Sequence, residues 1–359
     1  MKTRSGAMTN KQRVAALLQR EKPDRIPIYP FALGFAMEYA NVSLAAAFNN
    51  PEVSLAAQRK TCQDLGWVFI PLMAYAGFGC WEFGGEIRWP SGEFDMAPMV
   101  TRRPVETEGD ISKLEKPDVR TAGFVPLQTK FFKLSSREWL DNEPFNACCY
   151  AGGPFTKAGN VVGPDTFSKW LLKKPDSAHR VLRVVTDFMK DLVGYWKENL
   201  GIEGVLPWGA DPLSSNQVIS PKHFEKFALP YTKELNEEIL SLGYKHIFCH
   251  ICGEQNLNLP YWTQIPFGDP GLLLFGHELE LETAAKYFPN DIIMGNLNPS
   301  IIQSRTAGEV YEATKEIVEK GKKLSGGFIF SPGCEMPPKA PLENVKMMTK
   351  AVEDFGWYE

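Results

Sequence analysis

Lys245-His246-Ile247-Phe248-Cys249-His250-Ile251-Cys252-Gly253-Glu254 reads as a short buried strand running into a turn. Residues two apart on a strand share a face. The His250 imidazole and the Cys252 thiol therefore project together at the strand's C-terminal end. Comparable apolar runs occur before it at 26–31, 67–72, 145–150 and 204–209, and after it at 272–275, 291–295 and 327–331. Helical patterns separate most of them: 51–65, 165–200 with a break at Pro175, 221–242 capped by Ser220, 279–288, 307–323 and 342–355. Strands alternating with helices imply a parallel sheet. Eight such units predict the α/β class and a (β/α)8 TIM barrel, whose usual size is about 250 residues. A doubly wound open sheet is the alternative. It loses support because no Gly-X-Gly-X-X-Gly follows a strand and no Walker A motif is present.

The chain has 359 residues, and two segments account for the surplus over a bare barrel. Residues 1–8 are expected to be a disordered leader, followed by an N-terminal helix over 9–20 with Thr9 as cap. A single barrel domain is expected over 9–359. An excursion is expected at about 76–144, after the second strand, with a hairpin over 86–94 that turns at Ser91-Gly92. A net charge of −4 argues against nucleic acid or an anionic membrane surface as partner. No apolar run reaches the ~18 residues of a membrane span, and residues 1–19 are too polar for a secretory signal. Seven irregularly spaced cysteines in a long chain fit a reduced, cytoplasmic protein, not a disulfide framework.

Chemistry in a barrel sits at the C-terminal strand ends, and the reactive side chains cluster there. Asp211 follows the fourth strand, His250 and Cys252 close the fifth, and His277 and Glu278 follow the sixth. Asn296 and Asn298 follow the seventh, and Cys334 and Glu335 the eighth. His250, Cys252 and Cys334 form a His-X-Cys…Cys set. One imidazole and two thiolates suit zinc, and three protein ligands leave a fourth position open for catalysis. Read singly, each is an ordinary buried thiol or core histidine; their joint placement on two strand ends points to a metal. Asp211, His277 and Glu335 are candidate catalytic groups, with loop capping as the structural alternative. Tyr29, Phe31, Phe35 and Asn296 are candidate substrate-binding residues. Cys148, Cys149 and Cys249 read as core, and His179, His223 and His246 as structural.

These residues resemble the uroporphyrinogen decarboxylase superfamily, in particular its corrinoid-dependent methyltransferase branch. The resemblance spans about 9–352. Its clearest pieces are Gly152-Gly153-Pro154-Phe155-Thr156, Ser220-Pro221 through Pro230-Tyr231, His250-Ile251-Cys252-Gly253, Gly295-Asn296-Leu297-Asn298-Pro299 and Pro332-Gly333-Cys334-Glu335. It implies a zinc ion held by His250, Cys252 and Cys334, a corrinoid (cobalamin) carried by a partner protein, and a small-molecule methyl donor. The porphyrinogen decarboxylases carry arginines after the first strand that match substrate carboxylates. Here that stretch, Phe31-Ala32-Leu33-Gly34-Phe35-Ala36-Met37-Glu38-Tyr39, holds no cation, which argues against decarboxylation. The expected activity is transfer of a methyl group from a methoxylated, aromatic substrate to corrinoid cobalt (O-demethylation). The preference rests on the aromatics Tyr29, Phe31, Phe35, Tyr39, Phe78, Trp81 and Phe83, which equally suit packing. The alternative is a methylcobalamin:thiol methyltransferase of the coenzyme M type, for which Arg88 and Lys157 are the loosely placed candidate cations. A non-catalytic corrinoid- or metal-binding barrel is a further reading. The oligomeric state, a homodimer included, is left open.

Overall fold

A computed structural model describes residues 6–91 and 97–358. Six parallel strands pair in sequence order: Ala147–Tyr150, Val205–Ala210, Phe248–Ile251, Leu272–Phe275, Ile292–Leu297 and Phe328–Pro332. Every residue in them is buried, as expected for a parallel sheet covered by helices.

The first two extended segments, 26–31 and 67–72, close the ring. The Tyr29 amide donates to Phe330 and the Phe330 amide to Pro27; Val68 donates to Ile28, and Cys148 to Pro71. Each of these junctions is a single bridge, Ile28 with Phe330 and Leu72 with Cys148. Pro27, Pro30 and Pro71 have no N–H to give, so a continuous ladder cannot form at these two segments. The result is an eight-stranded α/β barrel.

The helices follow the apolar periodicity. Helix Asn10–Leu18 opens with a reciprocal capping box between Thr9 and Gln12, and the Met8 amide just before it donates to Asp24. Helices Pro51–Leu65 and Leu342–Phe355 fall where the pattern places them. The expected break at Pro175 separates Pro164–Lys173 from Pro175–Leu200. Of the expected leader, residues 1–5 lie outside the described residues.

Two features of the 76–144 region differ from the sequence reading. Helix Val125–Arg137 lies inside it and packs on the third strand between helices Pro51–Leu65 and Pro175–Leu200. It therefore serves as the second barrel helix. Its buried Phe131 and Phe132 and partly buried Leu127 and Leu134 carry the helical spacing, which the preceding polar stretch obscured. The hairpin exists, and among the described residues Glu86–Arg88 pairs with Met99–Arg102, so its return strand lies beyond the expected end at 94. Pro90 cannot return a ladder bond, so the connection is longer than a two-residue turn; Gly92 of the expected turn lies outside the described residues. The segment between hairpin and helix is anchored by buried Glu82, which accepts from the Gly79 and Phe124 amides and the Tyr75 hydroxyl. No helix among the described residues is long and apolar enough to cross a membrane.

Candidate metal centre

Register decides which side chains meet. Ala210 pairs with His250 and His250 with Leu274, so these three face one side. The rings of Tyr29 and Phe248 meet at 5.6 Å, and those of Phe31 and His250 at 6.0 Å. That side is the barrel interior. The turn after the fifth strand, Cys252-Gly253, then brings Cys252 opposite the loop that follows Pro332.

The ligand atoms of His250, Cys252 and Cys334 lie within 4.8 Å of one another. The two sulfurs are 3.9 Å apart, close to the about 3.8 Å that two 2.3 Å zinc–sulfur bonds at a tetrahedral angle require. His250 is 2% exposed. Its Nδ1–H donates to the Leu274 carbonyl at 3.2 Å, while Nε2 is buried with no hydrogen-bond partner. This is the arrangement in which an outer carbonyl fixes the tautomer and leaves the other nitrogen free for a metal. An orphaned buried acceptor beside two sulfurs at ligand spacing fits a zinc-type ion. Among the described residues no fourth donor joins the group.

The contact between the two sulfurs favours one thiolate beside one thiol, and burial opposes a second negative charge there. Before a metal binds, the pair then holds one proton between the two sulfurs. Metal binding at pH 7 is expected to release about one proton from the thiol pair rather than two. Calorimetry in buffers of different ionisation enthalpy measures this number.

The other candidates separate into two groups. Phe31 stands beside His250 with Trp208 5.9 Å behind it. Glu335 follows Cys334 and accepts from the Gly34 amide at 3.2 Å. Solvent reaches it from the barrel mouth while protein surrounds its carboxylate; that crowding raises its pKa above the ordinary range, against the pull of the Gly34 N–H. His277 is at the exposed rim, 3.5 Å from the Glu278 carboxylate. Glu278 is among the charges acting on Cys252.

The second group is engaged in contacts with the surrounding fold. Asp211 is on the outer face of the fourth strand. There it accepts from the amide and hydroxyl of Thr156, in the first turn of helix Pro154–Val162. Buried Lys157 lies next to it; Asp211 is pushed up to about 6 by burial, and Lys157 down to about 8. The Gly152-Gly153-Pro154 sequence serves this junction: Gly153 has φ of +76°, and a Cβ there would run into the Ala210 carbonyl. Asn296 donates from its side chain to the Gly276 and Leu279 carbonyls at 3.1 and 2.6 Å, tying the loop after the sixth strand to the seventh. Tyr29 is buried against Phe248, and Phe35 packs on Tyr39 and Trp67. Phe78 stacks on Tyr150 and Phe83 meets Phe188, so these aromatics hold the excursion to the barrel. Cys148, Cys149 and Cys249 are core residues. Trp208, Thr156 and the Leu274 carbonyl had no sequence signal of a site role. Glu278, adjacent to His277, had one in its position after the sixth strand.

A family described as Uroporphyrinogen decarboxylase (URO-D) matches residues 9–355. The chain belongs to the URO-D family. Within it, the Methylcobamide:CoM methyltransferase MtbA of Methanosarcina acetivorans is 25% identical over 359 residues, covering 97% of this chain and 99% of its own. A Methylated-thiol–coenzyme M methyltransferase of Methanosarcina mazei is 28% identical over 204 residues, 56% of this chain and 51% of its own. Among solved structures, a methyltransferase from Methanosarcina mazei has the same fold, with a TM-score of 0.81 at 21% identity over 97% of this chain and 99% of that one. Phe31 and Phe35, in the cation-free stretch after the first strand, are half-buried and buried respectively.

Proposed function

We propose that this chain is a zinc-dependent, corrinoid-dependent methyltransferase that moves a methyl group between the cobalt of a corrinoid, carried by a partner protein, and a small thiol. The observation that carries the reading is the incomplete donor set: His250, Cys252 and Cys334 converge at the barrel mouth, and the remaining corner is left to an outside ligand. Two of the relatives are named as a methylcobamide:CoM methyltransferase and a methylated-thiol–coenzyme M methyltransferase.

Zinc, when bound, supplies Lewis acidity that lets a thiol ionise at neutral pH. The chain's own residues do the rest. The Leu274 carbonyl holds His250 in the tautomer that presents Nε2. Glu335, clamped by the Gly34 amide, fixes the Cys334 loop onto the start of the short helix Leu33–Tyr39. Phe31 and Trp208 form an apolar wall beside His250 that excludes water on that side. Proximity and alignment supply the larger share of such a displacement. Asp211 acts at a distance, through helix Pro154–Val162.

O-demethylation of a methoxylated aromatic substrate is the second reading. Its support is narrower than the aromatic content suggests, because only Phe31 of the aromatics named for that pocket has its ring beside His250. The test uses zinc-loaded protein with methylcobalamin and a thiol. Loss of the methyl-cobalt absorbance with formation of the S-methyl product is expected. Inactivity with thiols, together with methylation of reduced corrinoid by a methoxylated phenol, would reverse the assignment.

A further inference from the structure

Apart from the His277 imidazole, 3.5 Å from the Glu278 carboxylate, the groups named around the candidate metal centre are aromatic or acidic. Phe31 and Trp208 stand on one side. Glu335 is placed next to Cys334 and held there by the Gly34 amide. Glu278 lies over Gly276, where a Cβ would collide with its carboxylate and come 3.1 Å from the Gly253 amide, one residue from Cys252. A dication bound by two thiolates is electrically neutral, so it would not offset these carboxylates once a third thiolate is added. The charged groups acting most strongly on Cys252, Cys334 and Glu335 are one another, His250 and Glu278; among the described residues neither lysine nor arginine joins them.

The two cations singled out from sequence are committed elsewhere. Lys157 is 1% exposed; its ammonium donates to the Ala210 carbonyl at 3.2 Å, lies 4.5 Å from the Tyr150 ring centroid and is balanced by Asp211. Arg88 is engaged on the hairpin with Ser91 and Met99. An anionic tail on the acceptor would therefore meet two acidic side chains with no lysine or arginine among the named groups to offset them. A cationic tail would meet two carboxylates and two aromatic walls, each attractive to it.

We infer that the acceptor is a small thiol whose non-reacting end is neutral or cationic, in contrast to the sulfonate thiol named for the relatives. The inference rests on the thiol-methylating reading of the site.

Three thiols that share a two-carbon stem differ in tail charge: 2-mercaptoethanesulfonate, 2-mercaptoethanol and cysteamine. Their Kd values for the zinc-loaded protein, measured by calorimetry, and their kcat/KM values with methylcobalamin test the idea. The sulfonate is expected to bind at least about 10-fold more weakly than the neutral thiol, with cysteamine the tightest. A double variant carrying Glu278→Gln and Glu335→Gln should move the sulfonate-to-neutral ratio toward the sulfonate relative to wild type. Normalising to wild type cancels the intrinsic reactivity of each thiol. The side-chain amide oxygen introduced by Glu335→Gln can still accept from Gly34, which keeps the loop in place. Sulfonate binding as tight as that of the neutral thiol, or a ratio unmoved by the variant, overturns the inference while leaving the thiol reading intact. Methyl transfer to none of the three overturns both.

Discussion

Cys334→Ser should reduce bound metal from about one equivalent to a small fraction of it and depress methyl transfer by at least about 10³-fold, the equivalent of losing several kcal/mol of Lewis-acid stabilisation. A serine hydroxyl does not ionise at neutral pH, so the set keeps one imidazole and one thiolate, too few for a stable zinc site. The site lies on loops beyond the strand ends, and Cys334 is only partly buried. The fold should therefore survive, with thermal unfolding within a few degrees of that of the metal-free wild-type protein. Elemental analysis of the purified variant, alongside its melting curve, decides the matter. Full metal content in Cys334→Ser would remove this residue from the ligand set. Full activity without metal would remove zinc from the reaction.

Asp211→Ala should unfold the protein more readily, by about 3–5 kcal/mol, because a buried charge pair is broken from one side and Lys157 is left uncompensated. The variant also strips the Thr156 amide and hydroxyl of their acceptor. Asp211→Asn keeps the shape and one acceptor and should cost less. The pH dependence has a definite sign. Burial raises the Asp211 pKa from 3.8 to about 6 in the folded state, so the fold favours the protonated acid. That contribution is full below about 4 and is lost as pH rises through 6. Subtracting the Asp211→Asn stability curve from that of wild type isolates this slope. If Asp211 were instead a group that touches the reacting atoms, the Asn variant would lose turnover at unchanged melting temperature. Chemical denaturation with kcat measurements separates the two outcomes.

How far the site could be read from sequence depended on what kind of information each residue carried. His250 and Cys252 are two apart on a strand, and Cys334 follows another strand end. The barrel rule places such ends together, so this trio was legible. Phe31 was legible for the same reason, being two residues beyond Tyr29. Asp211 occupied an equally suggestive position, yet it sits one residue past Ala210 and so faces the opposite side. Strand parity alone hinted at this; the partner, Thr156, lies 55 residues away and had no sequence signal. The carbonyl partners of Asn296 and the Trp67 ring partner of Phe35 likewise come from segments distant in sequence. Helix Val125–Arg137 escaped notice because its apolar spacing begins abruptly after a long polar run.

The amino-acid sequence by itself determined the repeating strand and helix periodicity, the type of donor set and the lack of arginines after the first strand. These are properties of local pattern and of side-chain chemistry, and they need no neighbours to be read. Only the tertiary structure decided which strand-end groups turn inward. Closing eight strands into a ring brings residues 82 positions apart to sulfur–sulfur spacing, and one residue's shift along a strand sends a carboxylate to the far side of the sheet. It also decided that the surroundings of the candidate metal are acidic and aromatic, because the tails of Glu278, Glu335 and Lys157 are directed by contacts that the order of residues does not encode locally.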